Sequence, residues 1–319
     1  MTTATWGIVS TIKAPAKDIL TFAAYHLDLG AHRVHIYLDE ENPEAFKALK
    51  AHPKCRVIVC DEGYWRRRKG RPEKHQQRQT ANATHCYRRR PQIDWLAHID
   101  VDEFLWFLSP LTGQFDAIPD TALSARIRPV EALAPDTNDP PPDGQIWFKG
   151  VNRHRKLRAA QTIEIFPTYG AHLNGGFLSH VVGKVFVRTG QDQIGLRIHN
   201  AFVAGEMDDN PCEMSGTLLC HLHAPSWEAF LAAYRYRLQN GSYRADLKPA
   251  PLSGDGGMNM HALFSMLERE GGEAALRSFY DEVCTATPAL RERLLHHKLL
   301  HGITLDLDAK LARHFPDFG

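Results

Sequence analysis

Within its first hundred residues the chain alternates between two kinds of hydrophobic pattern, and that alternation restricts its fold more than any other feature. Residues 5–12 are β-rich, and residues 18–29 then repeat apolar side chains at helical spacing until Gly30. A second strand is predicted at 34–38, ending at Asp39, followed by a short helix at 44–50 and a third strand at 55–60. Residues 74–88 predict a helix, and 95–99 a strand that runs directly into acidic residues. Strands that alternate with helices imply a largely parallel sheet, whose ligand crevice lies beyond the carboxyl ends of its strands. The acids at 100, 102 and 103 therefore fall at the binding edge of the expected sheet.

Farther along, residues 129–144 hold five prolines among Asp, Asn and Gly, a composition that cannot sustain a helix or a central strand. We read this stretch as a loop between two halves. Strands are predicted at 145–149, 162–166, 181–188 and 217–221, and helices at 227–239 and in several segments after 259. The Gly- and Pro-rich residues 249–257 predict a mobile loop. The expected organisation is thus one α/β domain over 1–245, with halves at 1–128 and 145–245. Residues 246–319 follow as a loop and a helical C-terminal extension.

With 319 residues, of which 43% are hydrophobic, the chain is long enough to bury a full core. Its 38 basic and 37 acidic side chains nearly cancel, which disfavours a nucleic-acid backbone as partner. The basic run from Trp65 to Arg71, echoed at Arg88 to Arg90, is either a solvated face or a local contact for an anionic acceptor. Six cysteines without C-x-x-C spacing predict buried, reduced thiols. No signal-like or membrane-spanning apolar run occurs, so the expected location is the cytoplasm, with peripheral membrane contact left open.

The acids Asp100, Asp102 and Glu103 interrupt a run that otherwise asks to be buried, from Trp95-Leu-Ala to Phe104-Leu-Trp-Phe-Leu. Charges so placed need a cation or polar partners. Two carboxylates one residue apart at a strand end can hold a divalent ion without filling its coordination sphere, and oxygen ligands suit Mg²⁺ or Mn²⁺. The other reading is a charged loop between core strands. A calcium loop of the EF-hand type is disfavoured, because the alternating acids stop at once and no glycine follows at the required offset. On the preceding helix His75, Arg78, Gln79 and Asn82 form one polar stripe, which either lines the crevice or faces water. Lys184 and Arg188 alternate on one strand face, where the lysine either meets phosphate as a point charge or is solvated.

Taken together, these residues resemble the GT-A glycosyltransferases, specifically the family-2-like bacterial group related to glycosyltransferase family 92. The likeness is carried by Thr11-Ile-Lys13, Tyr25-His26 to Gly30, Val34 to Asp39 and, above all, Trp95-Leu-Ala-His-Ile-Asp-Val-Asp-Glu-Phe-Leu105. It continues through Ser179 to Arg188, Ile198-His199 and Leu219 to Phe230, spanning roughly residues 6–245. Relatives usually show an Asn-Glu pair after the lysine, where this chain has Ala14-Pro15.

The resemblance implies a Rossmann-like α/β fold with a mixed, mostly parallel sheet flanked by helices, its 1–128 half serving the nucleotide sugar and its 145–245 half the acceptor. It also implies a UDP-sugar or similar donor, a saccharide or polysaccharide-type acceptor and inversion at the anomeric carbon. Lys13 and Asp39 are expected near the base and ribose, and Asp100 and Asp102 at ribose and metal. His221 or His223 is the candidate for the histidine that completes the metal site. Residues two apart on a strand share a face, and imidazole favours Mn²⁺ over Mg²⁺; the competing reading is a hydrogen-bonded histidine pair beneath a loop. An inverting enzyme needs a base, for which Asp208 and Asp209 are the candidates, although Asp-Asp-Asn-Pro is also good turn chemistry. Two other functions compete: a metal-dependent phosphoester or sugar hydrolase, and a non-catalytic sugar-binding protein.

Overall fold

A computed structural model describes residues 4–240 and 258–318. In chain order the first elements are β1 (Trp6–Ile12), α1 (Ala16–Asp28), β2 (Arg33–Leu38), α2 (Pro43–Ala51), β3 (Cys55–Val59), α3 (Glu62–Arg66), α4 (His75–Arg88), β4 (Trp95–His98), β5 (Glu103–Phe107) and α5 (Leu111–Asp116). Next come β6 (Ser124–Ala132), β7 (Gln145–Lys149), α6 (Arg155–Ile165), β8 (Lys184–Arg188), β9 (Ile194–Leu196), β10 (Ala201–Val203), β11 (Glu206–Met207) and β12 (Cys212–His221). The chain ends with α7 (Trp227–Asn240), α8 (Met260–Val283), α9 (Pro288–His296), β13 (Leu300–Thr304) and α10 (Leu307–His314).

Two compact units divide these elements: residues 1–128, 182–219 and 306–319 form the first, and 129–181 with 220–305 the second. The units interleave in sequence, where the sequence pattern suggested consecutive blocks. In the first unit β3, β2, β1 and β4 pair in parallel, and β8 and the start of β6 extend the sheet antiparallel. All seven residues of β1 are buried, as a central strand covered on both faces requires. One face carries Ile8, Ile12, Val34, Ile36 and Leu38 against α1, with Leu311 of α10 and Phe315 just beyond it completing the cluster. The opposite face packs Val9, Tyr37 and Leu96 against Tyr64, Ala83 and Cys86 from α3 and α4. Parallel pairing is tight at Gly7, where an added Cβ would lie 2.4 Å from the carbonyl oxygen of Arg33. Strands β9, β10 and β11 form a small antiparallel sheet.

In the second unit the end of β6 pairs antiparallel with β7, and β7 with β13. Its core is aromatic, with Phe166, Phe230, Tyr234, Phe264 and Phe279 buried together. Helix α8 is kinked at Gly272, whose φ of 57° only glycine adopts without cost.

Two local expectations are corrected. Residues 162–166 are not a strand: Arg155–Ile165 is helical, built on Arg, Lys, Leu and Ala, and Pro167 ends it by pushing Phe166 out of the helical region. The Pro-rich loop begins later than expected, because Pro129 lies inside β6. The anticipated mobile loop at 249–257 lies outside the described residues. The six cysteines are all free thiols, and burial pushes Cys55, Cys60 and Cys284 up to about 12. No helix among the described residues is long and apolar enough to cross a membrane.

Candidate active site

Strand β4 is wholly buried through His98, and the chain can place charges only where the strand leaves the core. There it turns. Glu103 N–H donates to the Asp100 carbonyl at 3.0 Å, and Asp100 N–H donates back to Glu103 Oε2 at 2.8 Å. This double closure fixes the turn and the Glu103 carboxylate. Lys184 Nζ, fully buried at the start of β8, donates to Asp100 Oδ2 at 2.6 Å and lies 3.3 Å from Glu103 Oε2. Burial works against the ammonium, but Asp100 and then Glu103 outweigh it and raise the Lys184 pKa, so the lysine is charged at neutral pH. Gln79 Nε2 donates to the other oxygen of Asp100 at 2.5 Å. The Glu103 side chain is fully buried whereas that of Asp100 is 27% exposed, which separates a structural carboxylate from one that a ligand can reach.

The polar stripe of α4 faces these strand ends rather than water. Arg78 Nε donates to both carboxylate oxygens of Asp39, at 3.0 and 2.8 Å, and His75 Nδ1 lies 3.5 Å from Oδ2. Asn82, fully buried, donates to Thr11 Oγ1 at 3.1 Å and accepts from the Tyr64 hydroxyl at 2.6 Å. One helix face thus reaches the carboxyl ends of β1, β2 and β4. Asp39 follows β2 and is completely buried. Burial opposes its ionisation, but the hydrogen bonds of His75 and Arg78 and the charges of Arg78 and Arg71 hold its carboxyl below the usual range. Lys13, at the end of neighbouring β1, is exposed and pairs with Glu40 at 2.9 Å.

Sequence reasoning missed Arg71 as a participant, and the partners of Glu103 and His98. Arg71, read as part of a basic run, donates to Asp39 Oδ1 at 3.0 Å and to its carbonyl at 2.9 Å. Glu103 shares Lys184 with Asp100. His98 is kept neutral, since burial first and the Lys184 charge second lower its pKa to about 4. Each of these roles depends on a partner far away in sequence, so composition and local spacing carry no signal for it.

Asp208 and Asp209 are placed elsewhere. Ser124 Oγ donates to Asp208 Oδ2 at 2.5 Å, and Ser124 is in register with Val187, three residues along β8 from Lys184. Asp209 is exposed. Asp208 lines a shallow cavity with Leu123, Met207 and Cys212, and the acids at the end of β4 are not part of its lining.

In the second unit His221, the last residue of β12, and His223 are both buried, with His223 Nδ1 3.4 Å from His221 Nε2 and the His180 ring centred 6.5 Å from that of His221. Glu131 is buried and accepts from Leu178 N–H, Ser179 N–H, Ser179 Oγ and, as an ion pair at 3.3 Å, Lys149. Burial opposes its charge, yet Lys149 and then His223 bring the Glu131 pKa down to about 2. Glu131 is thus an ionised, buried carboxylate whose charge interacts with His223.

A family model described as Glycosyltransferase family 92 matches residues 9–240. Among solved structures, the galactosyltransferase LgtC in complex with donor and acceptor sugar analogs is similar at 13% identity over 57% of each chain, with a TM-score of 0.27. The chain thus aligns with little more than half the length of that protein. No curated protein matches the chain.

Proposed function

The chain belongs to glycosyltransferase family 92, and from that premise we propose that it transfers a sugar from a nucleoside diphosphate sugar, UDP-linked, to a saccharide hydroxyl, with a divalent cation bound at Asp102 and inversion at the anomeric carbon. The observation that carries this reading is the carboxylate of Asp100, fixed by Gln79 and Lys184 at the end of β4 yet still reachable. A carboxylate oriented before the ligand arrives costs no reorganisation when it receives ribose or sugar hydroxyls. Asp39, ionised and fixed by Arg71 and Arg78, is assigned to the nucleoside end, with Lys13 at the neighbouring strand end.

Asp102, His221 and His223 each offer one ligand atom. A carboxylate oxygen such as that of Asp102 suits Mg²⁺ or Mn²⁺, and an imidazole nitrogen favours Mn²⁺. When bound, such an ion offsets the negative charge that gathers on the departing diphosphate. The protein's own part is to hold the donor: Asp100 for hydroxyls, and Lys184 to keep Asp100 in place. Lys184 is therefore read as a positioning residue rather than a phosphate contact. We leave Asp208 and Asp209 out of the mechanism, because Ser124 holds Asp208 away from the acid turn.

The test is thermal stabilisation and transfer with UDP and UDP-sugars, with and without Mn²⁺. Asp102→Asn is expected to abolish the Mn²⁺-dependent rise in melting temperature and transfer with it, while the ligand-free melting temperature stays near the wild-type value. Full transfer by the variant overturns the metal assignment. A product whose anomeric proton shows retained configuration overturns inversion alone. A hydrolase would release phosphate from generic phosphoesters without acceptor, and wild-type activity of that kind would replace the proposal.

A further inference from the structure

The first unit has a second polar recess, at the end of the strands opposite the acids. It is a cavity of about 550 Å³ lined by Arg33 and His35 of β2, Arg56 of β3, Lys50 of α2, and Arg89 and Arg90 just beyond α4. Strand β2 enters at Arg33 and delivers Asp39 at its far end, so Arg33 lies about 20 Å of strand from Asp39, and Tyr37 is the residue of β2 in the lining that comes nearest to it in sequence. No Asp or Glu lines the cavity. Arg33 and Arg56 each spend one terminal nitrogen on backbone carbonyls, of His32 for the first and of Pro53 and Cys55 for the second. Among the described residues, none of the five cations forms an ion pair.

Five like charges around one recess repel each other and raise the free energy of the folded state, unless an anion offsets them. The carbonyl end of α4 accounts for Arg89 and Arg90, since cations favour that helix end. It does not account for Arg33, Lys50 and Arg56, which belong to three other elements. His35 registers the same field: burial first, then Arg56, Arg33 and Arg89, push its pKa down to about 4. Its Nε2 is buried with no hydrogen-bond partner among the described residues. The segment that brings Arg90 to the cavity holds Arg90 and Gln92 at φ of 52° and 55°, a conformation non-glycine residues adopt only at a cost.

We propose that this cavity binds a compact multivalent oxyanion of the oligophosphate class, at a site separate from sugar transfer. The number of cations matches several negative charges, and guanidinium forks match phosphate oxygens. A nucleoside is disfavoured because no Phe or Trp lines the cavity and Tyr37, which does, is 2% exposed and offers no face on which a base could stack.

Titration calorimetry of the full chain with inorganic tripolyphosphate, free of divalent metal, tests the proposal. Wild-type protein and Asp102→Asn are both expected to bind one equivalent, with affinity falling as salt is raised. The double variant Arg56→Ala/Arg89→Ala is expected to bind at least about tenfold more weakly. Its ligand-free melting temperature should equal or exceed that of the wild type, because like-charge repulsion is relieved; this separates loss of binding from loss of fold. Absence of binding by wild-type protein at millimolar tripolyphosphate, or equal affinity in the double variant, overturns the site. Binding to vesicles containing phosphatidic acid without binding to free tripolyphosphate assigns the cations to a membrane headgroup and overturns the ligand class. Tighter tripolyphosphate binding by Asp102→Asn, which has lost a carboxylate that repels the metal-free probe, would mean that the probe occupies the donor site, and overturns separateness without touching the reading of the donor site itself.

Discussion

Lys184 shows how one residue type can serve either of two chemistries depending on its burial. On an exposed strand it would meet phosphate as a point charge, but here it is buried between Asp100 and Glu103. Replacing it by methionine leaves Glu103 with its charge in the core and no ammonium beside it, a loss expected to cost about 3–5 kcal/mol. Urea unfolding at neutral pH measures it. Adding Glu103→Gln to Lys184→Met should recover part of the loss, because the uncompensated carboxylate is removed; a double variant as unstable as the single one would show that packing, not charge, dominates. The raised pKa of Lys184 gives its contribution a definite pH range. It is complete below about 10.5, the ordinary lysine value, and fades only as pH rises through the higher folded value, so neutral assays see it in full.

At the scale of elements, α4 links the strand ends to one another. Arg78→Ala removes two charge-assisted hydrogen bonds from Asp39 while Arg71 and His75 remain, and is expected to cost about 2 kcal/mol of stability. If Asp39 serves the nucleoside, the same variant should weaken UDP binding more than it slows transfer at saturating donor. A change in the maximal rate alone would remove Asp39 from donor binding. That α4 is a helix and that its stripe is polar were legible from periodicity, as were β1 to β4, because each strand carries a dense apolar run bounded by turn residues. The partners of the stripe were not legible. Arg78 lies 39 positions from Asp39, and Lys184 lies 84 from Asp100, so neither pair leaves a local pattern. Residues 162–166 failed for the opposite reason: a short apolar, β-branched run reads as a strand unless the helix formers before it are counted. The acid turn was legible because three charges set between two aromatic, core-seeking stretches must sit where the chain leaves the core or meet partners inside it.

Across the whole molecule, several histidines are buried in the neutral form, and this makes the fold sensitive to acid. His26 is completely buried: its Nδ1 donates to the Phe22 carbonyl at 2.8 Å, which leaves Nε2 to accept from Leu105 N–H at 3.5 Å. A proton on Nε2 would end that second contact, and burial lowers the His26 pKa to about 3 despite the Phe22 bond. His35 is lowered to about 4 by burial and then by Arg56, and His199 to about 4 by burial and then by Lys184. In the unfolded chain each returns to about 6.5. Between those values the unfolded state binds more protons than the folded one, so stability rises with pH and is lost as pH falls from about 6.5 towards 4. These three alone contribute up to about 4 kcal/mol per pH unit, against a total stability of about 5–15 kcal/mol, and His98, its pKa lowered to about 4, adds to them. Urea midpoints are therefore expected to fall steadily from pH 7 to 5, and measure the slope. His26→Gln should reduce that slope by about 1.4 kcal/mol per pH unit even though it lowers stability at pH 7, because one titrating group is gone. A midpoint that stays constant from pH 7 to 5 would mean that these rings are hydrated in solution and take up protons without unfolding the chain.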